Sequence, residues 1–300
     1  MVYNFLLEAS GTLVSAYMIK AVRLAGARAI ASDIEECAAK YFADDFIIFP
    51  TMKDPSLWAV TEKIISEKGI NVVVPTLDET LLTWSEKKQY YSGKGVHIII
   101  SNPECIRIFQ DKWETYNFFK EHGIPTPRTS LKHEFNLVKP RLGRGGKGVE
   151  IHESIDTANM EGMISQEQLK GQEYTIDTLC NAIGEPIYII PRKRLTVRDG
   201  KSLVGITVKS EMIEYWVRRI CENVTFTGPI NLQCFETPEK KIVFTEINPR
   251  VGGGSALGFA ASENWIPLII SNIIEGEKIL PGEVKYGLKM FRFYDEVFNR

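Results

Sequence analysis

Gln233, Glu246, Asn248 and Arg250 are spaced so that a pair of adjacent strands would gather them into one patch. Successive side chains on a strand point to opposite faces. Within 243–250, Glu246 and Asn248 are therefore expected on one face and Thr245 and Ile247 on the other. A second strand is expected over 231–236, joined to the first through the polar, Pro-containing turn 237–241. A hairpin symmetric about Glu239 and Lys240 sets Gln233 opposite Glu246. One carboxylate and two amide oxygens suit a hard cation such as Mg2+, whose octahedron phosphate oxygens and water complete. Arg250 adds a fixed positive charge beside them. An ordinary polar hairpin face is the competing reading of these residues.

The stretch 141–148 is a second candidate for chemistry. Gly143, Gly145 and Gly148 match G-x-G-x-x-G, but a short strand pattern follows, not the helix that a dinucleotide turn requires. Lys147 precedes Gly148 where a Walker loop needs Ser or Thr. What remains is a glycine-rich hairpin, Gly146 included, that carries Arg144 and Lys147. Its open backbone N–H groups and cations suit phosphates, and a solvent loop fits the same residues equally well.

Around these stretches the chain alternates. Strands are expected at 3–9, 28–32, 46–49, 72–74 and 97–100, with helices at 15–25, 35–41, 56–68 and 78–88, a pattern that implies a parallel, doubly wound sheet. Its strand ends, Ala9-Ser10-Gly11, Asp33 and 75–79, are binding positions, although Asp33 and Asp78 read more simply as helix caps. A single glycine in the first turn argues against NAD(P) or FAD. Later, strands at 187–193 and 204–209 flank a turn at 198–200. Arg192 and Arg194 share one face, Lys193 takes the other, and Lys209 ends the second strand. A helix is expected at 211–223 and further helices within 256–274. Gly252-Gly253-Gly254 leads into one of these, a form of entry that suits anions.

The 300 residues, 44% hydrophobic and 25% charged with net charge −2, describe a globular chain with two or three subdomains. There is no global charge to attract nucleic acid or an anionic membrane. The cysteines are odd in number and lack C-x-x-C, which argues against disulfides and zinc and for a reducing cytoplasm. No secretory signal and no membrane span are expected.

The ordered pieces resemble the ATP-grasp superfamily, in its carbamoyl-phosphate-synthetase-like branch. They are Asp111-Lys112, Gly123-Ile124-Pro125-Thr126-Pro127, Val138-Lys139-Pro140 with the glycine loop, Glu167-Gln168-Leu169, Gly171 with Glu173-Tyr174, Gln233, Glu246-Ile247-Asn248-Pro249-Arg250, and Leu288-Lys289-Met290. The resemblance implies a parallel α/β pre-ATP-grasp domain at 1–105, a small ATP-grasp lobe at 106–168 and a large lobe at 169–300. It implies ATP and Mg2+ as cofactors. Lys112 and Lys139 then contact phosphates, covered by Gly143, Arg144, Gly145, Gly146 and Lys147. Glu167, Gln168 and Leu169 form the hinge that reads adenine, and Glu173 matches the ribose acid. Gln233, Glu246 and Asn248 correspond to metal ligands, while Arg250, Lys139 and Asn248 make up the catalytic set. Arg192, Arg194, Lys209, Gly252 and Gly253 are the substrate candidates.

Two departures stand out. The segment 129–137 is little more than a loop, so the small lobe looks trimmed. After Arg250 the chain reads Val251-Gly252-Gly253-Gly254, where the synthetase branch carries a second arginine. The expected activity is ligation of a small-molecule carboxylate to an amine through an acyl-phosphate. A kinase-like or carbamoyl-phosphate-forming enzyme and a non-catalytic nucleotide-binding subunit are the alternatives. Dimerisation is frequent in the family, which allows a homodimer.

Overall fold

The computed structural model describes residues 2–155, 159–198, 201–293 and 295–298. Short apolar runs in the first hundred residues become β1 (Asn4–Leu7), β2 (Arg28–Asp33), β3 (Asp45–Ile48), β4 (Val72–Val74) and β5 (His97–Ile98). They form a parallel sheet in the order β3-β2-β1-β4-β5. The stretches between them become α1 (Ser15–Leu24), α2 (Leu57–Glu67) and α3 (Asp78–Ser92). The period of two is visible in β1: Phe5 and Leu7 join the core shared with α1, and Leu6 joins the core that contains Ile65 of α2 and Trp84 of α3. The helix expected at 35–41 is only a tight turn, Ala38–Tyr41.

A helical link follows, made of α4 (Pro103–Gln110) and α5 (Lys112–Glu121). The side chain of Asn102 caps α4 by accepting from the Cys105 N–H at 2.8 Å, and Pro103 opens the helix. Asp111 caps α5 in the same way through Trp113.

A small antiparallel sheet comes next: β6 (Thr129–Ser130), β7 (Leu137–Pro140), β8 (Glu150–Ile151) and β9 (Met163–Gln166), in the order β6-β9-β7-β8. Among the described residues of 124–168 there is no helix, which agrees with the trimmed lobe.

The larger antiparallel sheet contains β10 (Gln172–Cys180), β11 (Pro186–Arg198), β12 (Lys201–Thr207), β13 (Gly228–Glu236), β14 (Ile242–Asn248) and β15 (Lys289–Phe291). Its order is β14-β13-β10-β11-β12-β15. The turn expected at 198–200 has residues 199 and 200 outside the described residues. Alternation again sorts the faces. Ile176 and Leu232 pack with Phe109, Phe119 and Ile213, the last from α6 (Glu211–Asn223). Tyr188 and Ile190 on the opposite face pack with Phe259 of α7 (Ala256–Ala261), Trp265 of α8 (Trp265–Leu268) and Met18 of the N-terminal domain. Both faces of this sheet are therefore covered. Among the described residues no helix is long and apolar enough to cross a membrane.

Candidate active site

The hairpin forms with the expected register. Gln233 of β13 pairs with Glu246 of β14, and Asn231 pairs with Asn248. The sequence reading erred in one respect, because the register shifts next to Gln233, so that Cys234 pairs with Phe244 and Thr245 is left as an extra residue. Such a bulge breaks the alternation. Thr245 and Glu246 consequently both line the cleft between the two antiparallel sheets, together with Gln233 and Phe235. Asn248 lies outside that lining. It is 9% exposed, and its Oδ1 accepts from Arg250 Nη2 at 3.4 Å.

The cleft, about 380 Å³, gathers most of the expected residues: Lys112, Lys139, Gly143, Arg144, Gly145, Gly146 and Lys147 lie on the small-sheet side. Lys139 Nζ donates to Gln166 Oε1 at 2.8 Å. Burial pulls its amine down to about 8, with Glu246 opposing the shift and Lys112 adding to it. Glu246 and Lys112 thus both act on the charge of Lys139. Lys112 Nζ donates to the Gly143 carbonyl at 2.9 Å and so tethers the start of the glycine loop. At Gly148 the backbone has φ +72°, and a Cβ there would lie 2.9 Å from Pro140 Cγ. Only glycine closes this loop without strain.

At the other end of the cleft, Glu167, Gln168 and Leu169 form the extended hinge from β9 to β10. The Glu167 carboxylate is hydrogen-bonded by Arg128, which holds it below the usual carboxylate range. Glu173 is paired with Arg194 at 2.6 Å, and Arg194 lines the cleft.

Arg250 makes a bidentate pair with Asp78 at the start of α3, at 2.9 and 2.8 Å. Arg144 of the glycine loop also reaches Asp78, at 3.6 Å, and Glu79, at 3.2 Å. Asp78 is therefore no helix cap: Leu77 occupies that position and no side chain caps α3. Asp33 caps no helix either, and instead accepts from the backbone N–H groups of Gly11 and Ile34.

Four substrate candidates stand apart from the cleft. Arg192 is buried, with its Nε donating to Asp177 Oδ2 at 2.8 Å, and Asp177 also accepts from Asn231 and Ser255. Arg192 is thus committed to an internal network beneath the loop that contains Gly252 and Gly253. The Gly252 N–H is taken by Ser255 Oγ, and the Gly253 carbonyl accepts from Arg292. Lys209 is exposed beside Glu211. The sequence reading missed Asp177, Thr245 and the Asp78 partnership. An isolated carboxylate in the apolar run 174–180 was the available signal for Asp177, since a buried charge requires a partner.

For a metal, the donor set is Gln233 and Glu246, oxygen atoms only. Among the described residues there is no cluster of His, Cys, Asp and Glu able to hold an ion alone. This composition fits Mg2+, which keeps waters and shares substrate phosphates instead of sitting in an all-protein cage.

Comparison with known proteins bears on this geometry. The ATP-grasp domain model matches residues 109–254, and that of the PylC-like N-terminal domain matches 6–99. The chain carries an ATP-grasp domain. ATP-grasp enzymes use ATP and Mg2+. The chain is 23% identical over 263 residues to the carbamoyl-phosphate synthase of Methanobrevibacter smithii, covering 77% of this chain and 70% of that one. It is 23% identical over 306 residues to the carbamoyl phosphate synthase large chain of Halomonas eurihalina, but spans only 27% of it, for 86% of its own length. It is 24% identical over 143 residues to the 3-methyl-D-ornithine–L-lysine ligase of Methanosarcina acetivorans, covering 46% of this chain and 37% of the ligase. Among solved structures, biotin carboxylase of Campylobacter jejuni, complexed with β,γ-ATP, superposes with TM-score 0.77 at 12% identity, over 96% of this chain and 74% of that one. N5-carboxyaminoimidazole synthetase of Staphylococcus aureus, complexed with ADP, gives 0.72 at 16%, over 95% and 81%. At these identities the structural likeness establishes the ATP-grasp fold.

Proposed function

We propose that this ATP-grasp chain is an ATP- and Mg2+-dependent ligase that joins a carboxylic acid to an amine through an acyl-phosphate, releasing ADP and phosphate. The observation that carries the reading is one cleft lined by Lys112, Lys139 and the glycine loop on one side and by Gln233 and Glu246 on the other. Phosphoryl transfer is chiefly positioning and charge neutralisation, so this residue set is what the chemistry asks for. On this reading residues 1–105 form the pre-ATP-grasp domain, 106–168 the small lobe and 169–300 the large lobe.

Lys112 and Lys139 neutralise the phosphates while the loop 143–148 covers them. Glu167, Gln168 and Leu169 frame the adenine, and Glu173, oriented by Arg194, holds the ribose. Gln233 and Glu246 hold Mg2+, which supplies further charge neutralisation when bound. Asn248 serves from its place beside Arg250. Arg250, fixed by Asp78, steadies the group in transfer. The acid's carboxylate oxygen attacks the terminal phosphorus of ATP and ADP leaves. The neutral amine nitrogen then attacks the acyl carbon, the C–N bond forms as the C–O bond to phosphate breaks, and the nitrogen releases a proton to phosphate or water.

Incubation with ATP, Mg2+ and paired panels of acids and amines is expected to release phosphate only with a matched pair. Release that continues undiminished in Glu246→Ala would refute the metal role. The likeness to carbamoyl-phosphate synthases favours a second reading, an enzyme that stops at a phosphorylated product. Accumulation of that product without any amine would establish it.

A further inference from the structure

A second cavity, of about 620 Å³, lies at the carboxyl ends of the N-terminal strands and is separate from the phosphate cleft except at one side chain. Arg144 of the glycine loop lines both. The cavity walls are apolar, made by Leu6, Phe49, Pro50, Leu57, Trp58 and Trp84. Trp58 and Trp84 meet edge to face at 5.0 Å, which fixes the two indoles as a rigid wall. Hydroxyl and charged side chains, among them Thr12, Thr61 and Asp33, converge on the space beside this apolar wall, a mixture that suits a small-molecule site.

Three carboxylates, those of Glu8, Asp33 and Glu79, stand against two cations in the lining. Glu8, at the end of β1, is locked by Trp84 Nε1 at 2.7 Å and Thr80 Oγ1 at 3.1 Å, and burial raises its carboxyl above the usual range. Asp33, at the end of β2, accepts one backbone N–H on each oxygen, from Ile34 at 2.8 Å and Gly11 at 2.7 Å. A carboxylate oxygen accepts two hydrogen bonds, so Asp33 keeps a lone pair on each oxygen for a ligand. Lys53 and Arg144 are the cations of the lining, and Arg144 is already engaged by Asp78 and Glu79.

We infer that this cavity binds a primary amine with an apolar, aromatic or branched body, with the ammonium on Asp33 and the body against Trp58. Its identification as the acceptor site rests on the ligase reading; the binding itself does not. Arg144 then borders both the bound amine and the phosphate cleft.

Calorimetric titration of the full chain tests this with phenethylamine, hydrocinnamate and phenethyl alcohol, which share a body and differ in the head group. Phenethylamine is expected to bind at one site about tenfold or more tighter than the other two, because a site built to pair one polar group rejects analogues lacking it. Trp58→Ala is expected to weaken it about tenfold by removing the aromatic anchor, with MgADP affinity unchanged in the same variant. Equal or tighter binding of hydrocinnamate or the alcohol overturns the proposal. So does amine binding that ignores Trp58→Ala. In the wild type, MgADP binding without amine binding refutes the cavity proposal alone, whereas amine binding without MgADP binding supports the cavity and refutes the ligase reading.

Discussion

The cleft wall that carries Gln233 and Glu246 is a six-stranded sheet packed on both faces, whereas the facing wall is a four-stranded sheet whose loop is exposed from residue 142 to 151. On the first wall the strands that carry the donors are backed by a close-packed core. On the second, backbone groups are open to solvent and the loop is held at few points, chiefly Lys112 to Gly143 and Arg144 to Glu79. The division suits a phosphoryl-transfer site, where one side keeps metal donors in fixed geometry and the other must admit and cover a nucleotide.

If the large wall is the rigid one, its buried network should dominate stability. Asp177→Ala strands Arg192 in the interior and is expected to cost about 3–5 kcal/mol in chemical denaturation. A loss below ~1 kcal/mol would mean that this wall relaxes readily. Glu246→Ala, on the same wall but at the cleft, should leave the denaturation midpoint nearly unchanged while lowering phosphate release about 100-fold.

The small wall should be sensed through charge. Lys139 is protonated below about 8 and neutral above it. Its attraction for phosphate is thus complete at lower pH and is lost as pH rises through that value. MgADP affinity measured between neutral and alkaline pH should be flat at first and then fall by up to roughly tenfold per pH unit. A flat profile would remove Lys139 from phosphate binding. The smallest effect is expected at the loop. Gly148→Ala meets both the left-handed backbone and Pro140, and should weaken MgADP a few-fold, on the order of 1 kcal/mol, with little change in global stability. A loss as large as that of Glu246→Ala would erase the contrast between the walls.

Much of this was legible in residue order. The turn between Glu236 and Ile242 is short and polar enough to set the register that brings Gln233 to Glu246. The bulge at Thr245 was not legible, because it depends on how β14 packs rather than on its own composition. Arg192 and Arg194 show the same limit: a period of two correctly places both on one face, but only the fold sets depth. Two residues along the strand, one guanidinium enters the interior and the other reaches the cleft. The Asp78–Arg250 pair joins residues 172 positions apart, beyond any local pattern. The helix α4 escaped notice although Asn102-Pro103 is an ordinary start signal.

The glycine at 254 has a further consequence. A Cβ there would stand 2.5 Å from Arg192 Nη2, so a side chain at 254 and the guanidinium in its present place exclude each other. A substitution that places a side chain at 254 must therefore displace the Arg192 guanidinium, which disturbs its pairing with Asp177. Positions 177, 192 and 254 are thus mechanically coupled, and a change at one is felt at the other two.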